Sequence, residues 1–227
     1  MAGKITGIFN ILATPFTADY DVDYDSLKNL VKFQIDKGAY GLTILGVLGE
    51  AAKLSVDERK AVMDTVIETV NGVIPIVVGT SHPEIKTCID LSQVAFNAGA
   101  DGVMIAPPRM EDKSDSAIMA LYSTIAESID KPIVVQDFPP INDVIMSPDL
   151  LAQFADTIPN ARYLKLEDPP LMAKIGAIRE RTDKFEIFGE LGGMFLLEEL
   201  KRGASGTMTG WAFTEIWLSG FTAFNDG

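Results

Sequence analysis

Apolar residues along this chain fall into two alternating rhythms. Short unbroken runs rich in β-branched residues occupy positions 8–13, 41–46, 74–79, 102–106, 133–137, 163–166, 186–189 and 206–209. Each gives way to a stretch in which apolar positions recur every three or four residues. Continuous rather than alternating apolarity marks strands covered on both faces, and the longer period marks amphipathic helices. Helix starts are also legible. Asp23 or Asp25 opens one that carries Leu27, Leu30, Val31 and Phe33, and Ser55 with Glu58 forms a capping box ahead of Val62, Val66 and Val70. A third begins near Pro83 and stops at Gly99. Further helical stretches follow in "KSDSAIMALYSTIAESIDKP", "SPDLLAQFADTIPN", "PPLMAKIGAIRERTD", "GGMFLLEELKRGA" and "FTEIWLSGFTAFNDG".

Eight strand–helix units in 227 residues predict one closed (β/α)₈ (TIM) barrel over residues 1–227. Such a barrel takes roughly 200 residues at the least. No unit carries the G-x-G-x-x-G turn of a dinucleotide fold, and "GVLGE" lacks the phosphate-loop lysine. The balance of 19 basic against 32 acidic residues, net −13, speaks against nucleic acid or an anionic membrane as partner. No run approaches the ~18 apolar residues of a membrane span, and the first residues do not read as a secretory signal, so the expected setting is cytoplasmic. Cys88, alone in an apolar pattern, reads as a buried core thiol.

Barrel enzymes work at the C-terminal ends of their strands. Read in order, those ends offer Thr14, Glu50, Thr80, Ser81, His82, Arg109, Gln136, Asp137, Lys165, Glu167, Glu190, Thr207 and Thr209. Lys165 stands apart, because it lies inside the apolar strand "YLKL" rather than after it. An exposed lysine, with a pKa of about 10.4, leaves roughly one molecule in 2,500 neutral at pH 7. Burial lowers that barrier, and a neutral amine attacks a ketone to form an imine that serves as an electron sink. A structural ion pair with a carboxylate such as Glu167 is the competing account of the same lysine. His82, beside Pro83, reads first as a helix-entry residue. No His, Cys, Asp or Glu cluster has metal-ligand spacing, and no cofactor is called for.

Five stretches taken together resemble the pyruvate-dependent class I aldolases, the superfamily of dihydrodipicolinate synthase and N-acetylneuraminate lyase. They are "ATPFTADYDVD", "GVLGEAAKLSVDER", "IVVGTS", "YLKLED" and "GASGTMTG". The resemblance implies a Schiff-base lysine at Lys165, a 2-oxo acid of the pyruvate type as substrate, and a homo-oligomer, dimer or tetramer. It implies Gln136 and Asp137 beside the imine, and substrate contacts from Gly46, Val47, Leu48, Arg109, Glu190, Thr207 and Met208. The departures are specific. The family's G-T-T-G-E reads Gly46-Val47-Leu48-Gly49-Glu50 here, so two hydroxyls are missing. Gln136 stands where the family places a tyrosine that moves protons, and an amide cannot take over that work. Proton transfer then falls to Asp137, Glu167, Glu190 or water, while Arg109 is the expected carboxylate clamp. Lysine biosynthesis fits poorly; a sugar-acid or aromatic-substrate lyase, or a sugar-acid dehydratase using the same imine, fits better, and a silent ligand-binding or assembly module is the competing class. Relatives carry a further C-terminal helical segment that this sequence lacks, which leaves Trp217, Phe221 and Phe224 partly exposed.

Overall fold

The computed structural model describes residues 4–227. Eight strands form there: β1 (Gly7–Ile11), β2 (Gly41–Ile44), β3 (Ile76–Gly79), β4 (Gly102–Ile105), β5 (Ile133–Asp137), β6 (Tyr163–Leu166), β7 (Glu186–Gly189) and β8 (Gly206–Thr209). Nearly every strand position is buried, as the unbroken apolar runs require. The strands pair in parallel in sequence order, and β1 closes on β8 through Gly7–Gly206 to Asn10–Thr209. The predicted (β/α)₈ barrel is therefore the observed fold.

Helices α1 (Tyr24–Asp36), α2 (Val56–Val70), α3 (Ile85–Ala98), α4 (Asp115–Ser128), α6 (Pro148–Thr157), α7 (Leu171–Arg179), α8 (Leu196–Leu200) and α9 (Thr214–Asp226) fill the predicted stretches. Asp23 caps α1 by accepting from the Ser26 N–H, and the Ser55–Glu58 capping box forms as read. Among the described residues, one α-helix is unanticipated. The four-residue α5 (Pro139–Asn142) follows β5, with Pro139 at a position where a missing N–H costs nothing.

Two packing layers result. Leu164, Leu166, Ile133 and Val135 join the large core between sheet and helices. Ile5, Phe9, Ile11, Val77, Met104, Val134, Phe188 and Met208 fill the barrel itself. Phe9 meets Phe188 edge-on at 5.8 Å, and a side chain at Gly41 would overlap the Phe9 ring at 2.3 Å. Above this apolar filling, cavities open at the strands' C-terminal ends. At the far side, Trp217 and Phe221 are half-buried on Ile8, Leu196 and Leu200, so the expected exposure falls mainly on Phe224.

Candidate active site

Strand alternation decides what enters the barrel. Tyr163 packs with the barrel filling and Leu164 with the outer core, so Lys165 points inward. On the paired strand, Val134 faces in and Val135 out, which sends Gln136 inward beside Lys165. The Lys165 amine contacts Glu167 Oε1, and the Gln136 amide donates to Glu167 Oε2 at 2.7 Å. All three residues are 5% exposed or less. Both competing accounts of Lys165 thus meet in one place: the lysine is ion-paired, and its partner carboxylate is placed to receive a proton.

Above them opens a cavity of about 210 Å³, walled by Lys165, Glu167 and Glu190 on one side and Gly46, Val47 and Leu48 on another. Ile11, Met104 and Phe138 supply apolar surface. At ~30 Å³ per water this is room for a ligand of only a few carbons. The wall at 46–48 is a turn bracketed by Leu45 (φ 56°) and Glu50 (φ 54°), left-handed conformations that cost a non-glycine residue roughly 1–2 kcal/mol each. Gly79 permits that turn, because a Cβ there would lie 2.2 Å from the Leu45 carbonyl oxygen. Among the described residues, the Val47 and Leu48 N–H groups donate to no backbone carbonyl. Burial raises the Glu190 carboxyl above its usual range, against the opposing pull of the Lys165 ammonium. Its place in the cavity wall and the upward shift make Glu190 a candidate proton carrier.

Gly46, Val47, Leu48 and Glu190 thus line the cavity with Lys165, and Gln136 braces Glu167. Four expected residues go elsewhere. Asp137, one residue past Gln136, turns outward by strand alternation, fully buried, with Oδ2 2.5 Å from Lys174 Nζ of α7. That contact has ion-pair distance without hydrogen-bond direction, and Oδ1 has no partner. Burial lifts its carboxyl to about 6 against the charge of Lys174. It faces the helix layer, where it cannot pass protons to the imine. Arg109 is exposed, its Nε–H donating to the Ile141 carbonyl at 3.3 Å, and it does not line the Lys165 cavity. Thr207 donates to the Gly189 carbonyl, and Met208 belongs to the apolar filling of the barrel. Neither reaches the cavity. His82 lies half-buried at the entry to α3, its Nδ1 accepting from the Glu84 N–H. Burial pushes the Cys88 thiol up to about 11, as an inert core residue requires. Among the described residues no cluster could hold a metal ion, and no helix is long and apolar enough to cross a membrane.

Lys174 was missed, although its signal was present: it interrupts the apolar stripe Leu171, Ile175, Ile178 of α7, and a lysine there needs a buried acid. Asp168 shares it at 2.7 Å. Lys174→Met is expected to destabilise the protein by about 3–5 kcal/mol at pH 8, since it strands the buried Asp137 charge. The loss should shrink as the pH falls toward 6 and below, where that carboxyl takes a proton; urea unfolding at both pH values measures it. Asp137→Asn should leave turnover unchanged.

Comparison with known proteins follows the same lines. Residues 4–212 match the profile described as "Dihydrodipicolinate synthetase family". The chain is 34% identical over 216 residues to the L-2-keto-3-deoxyarabonate dehydratase of Azospirillum brasilense, covering 92% of this chain and 69% of that protein. It is 28% identical over 182 residues to the 4-hydroxy-tetrahydrodipicolinate synthase of Salinibacter ruber, covering 80% of this chain and 60% of the relative. The crystal structure of dihydrodipicolinate synthase from Rhodopseudomonas palustris superposes with a TM-score of 0.92 at 33% identity, over all of this chain and 77% of that one. The chain therefore spans roughly two thirds of the length of the two curated relatives.

Proposed function

The chain belongs to the dihydrodipicolinate synthetase family, and from that membership and the rim geometry we propose that it is a Schiff-base lyase for a small 2-oxo acid. The observation that carries this reading is the buried Lys165 amine at the floor of a cavity, with one carboxylate against it and a second in the wall. Glu167 takes a proton from the ammonium, and the free amine adds to the C-2 carbonyl carbon. The carbinolamine then loses its oxygen as water and leaves a protonated imine. The substrate carboxylate is held at the Val47 and Leu48 N–H groups, which do by backbone what side-chain hydroxyls no longer can. With the imine as electron sink, a bond at C-3 breaks and its electron pair enters the enamine. Glu190 gives or takes the proton that balances this step.

Dehydration is the outcome we propose to test first, because one relative, 34% identical over 92% of this chain, is an L-2-keto-3-deoxyarabonate dehydratase. In that reaction Glu190 takes the C-3 proton as the enamine forms and returns it to the C-4 hydroxyl, which leaves as water. The proposal carries with it a cytoplasmic setting and a homo-oligomer, which mass photometry checks.

Incubation with pyruvate and borohydride, followed by intact mass and peptide mapping, should give a reduced adduct at Lys165. Absence of any mass gain would overturn the reading. A screen of 2-oxo-3-deoxy acids then separates loss of one water from release of pyruvate, and trapping without turnover on any of them would leave only a ligand-binding module. Glu167→Gln is expected to slow trapping by about 10²-fold or more, the scale of a lost general base.

A further inference from the structure

Arg59 is the cation that the chemistry above leaves unused. It projects from α2, half-buried, and its Nε has no hydrogen-bond partner. It takes part in none of the ion pairs among the described residues. What sets Arg59 apart is its place: it lines a cavity next to the Lys165 site, with a buried Nε that has no partner. Burial lowers its guanidinium from the usual range, yet arginine keeps its charge in proteins, so the desolvated cation waits for an anion.

Its surroundings say where that anion sits. Arg59 lines a second cavity of about 140 Å³ that shares Gly46, Val47 and Met104 with the Lys165 cavity. Gln136 borders this second space while its amide holds Glu167 of the first. No acidic residue lines the second cavity, whereas two line the first. Ser81 Oγ also borders it; that oxygen accepts from the Ala106 N–H at 2.9 Å, which leaves its own proton to donate.

Resting on Lys165 as the imine-forming residue, we infer that Arg59 is a specificity-determining residue that binds a second carboxylate at the far end of the substrate, which makes the preferred substrate a 2-oxo dicarboxylic acid. The volume, about four to five waters at ~30 Å³ each, holds a carboxylate and a carbon or two but little more. A free Nε beside a terminal nitrogen is the side-on fork that a planar carboxylate fills with two parallel hydrogen bonds. The clamp expected of Arg109 is thus supplied by a different arginine, on a helix rather than a strand-end loop.

The test compares 2-oxo diacids of four, five and six carbons with the 2-oxo monoacids of equal length, by the half-saturating concentration for borohydride trapping. The parent should favour at least one diacid by about ten-fold or more, as a charge-assisted pair implies. That ratio should collapse toward one in Arg59→Gln and be partly kept in Arg59→Lys, which retains charge but not the fork. No preference at any length, or a preference that survives in Arg59→Gln, overturns the inference. Failure of Lys165 itself shows as absent pyruvate trapping. Calorimetric binding of the same diacids to parent and Arg59→Gln then reads the arginine site without the imine, and equal affinities there also overturn it.

Discussion

Lys165→Ala is expected to lose turnover by on the order of 10⁴–10⁶-fold, the scale on which removal of a covalent nucleophile acts. It should also lose stability, for a separate reason. Glu167 is 5% exposed and its Oε1 faces the amine, so deleting the lysine leaves a buried carboxylate held only by the Gln136 amide. Breaking such a pair costs about 3–5 kcal/mol, whereas replacing both partners by neutral groups is far milder. Lys165→Met combined with Glu167→Gln should therefore recover most of the stability and none of the activity. Urea unfolding and single-turnover trapping on parent, single and double variants separate the two effects. Residual turnover in Lys165→Ala, or a double variant no more stable than Lys165→Ala, would contradict this account of the site.

Glu199→Gln is expected to change how stability depends on pH. Glu199 of α8 is fully buried, and both of its carboxylate oxygens lack a partner. It lies against β7 so closely that a Cβ on Gly189 would fall 1.7 Å from Oε2. Burial first, and the charges of Glu190 and Glu198 after it, raise the carboxyl from 4.5 to about 7. The folded state thus holds a proton that the unfolded chain releases at lower pH. The stabilisation is fully present below about pH 4.5, and it is lost as the pH rises through about 7. A shift of that size corresponds to about 3 kcal/mol at 1.36 kcal/mol per unit. Asp137, raised from 3.8 to about 6, adds a loss of the same sign over a lower window. Relative to its own value at pH 5, Glu199→Gln should gain about 3 kcal/mol on the parent by pH 8, or several degrees in Tm. Parallel stability curves for parent and variant between pH 5 and 8 would show that Glu199 does not titrate in that window.

Gly189 also shows how the two effects are kept apart. Glu199 stands behind the strand end that carries Glu190, with only a glycine between them, yet it opens onto neither cavity. A raised carboxyl of this kind, read without its position, would be mistaken for an acid of the active site.

The sequence by itself determined the eight strand–helix units, their order, the closure they imply and the anomalous lysine at position 165. These rest on local rules: apolar runs must be covered on both faces, helix starts need caps, and a buried ammonium needs a task or a partner. The family resemblance was legible for the same reason, since its motifs are contiguous stretches at strand ends. Tertiary structure alone decided which neighbours of Lys165 share its space. Gln136 and Asp137 are adjacent in sequence but face opposite sides of the wall, and strand period alone does not say which of the two looks inward. Only the register of β5 against β6 does, by placing Gln136 across from Lys165. The choice between Arg109 and Arg59 is decided in the same way. One sits at a strand end and reaches solvent, while the other projects from a helix turn after the loop and reaches the cavity. A side chain that crosses from the helix layer to the rim leaves no periodic trace in the chain, because its target is assembled from several strand ends, with residues as far along the chain as Met104, Gln136 and Ile141.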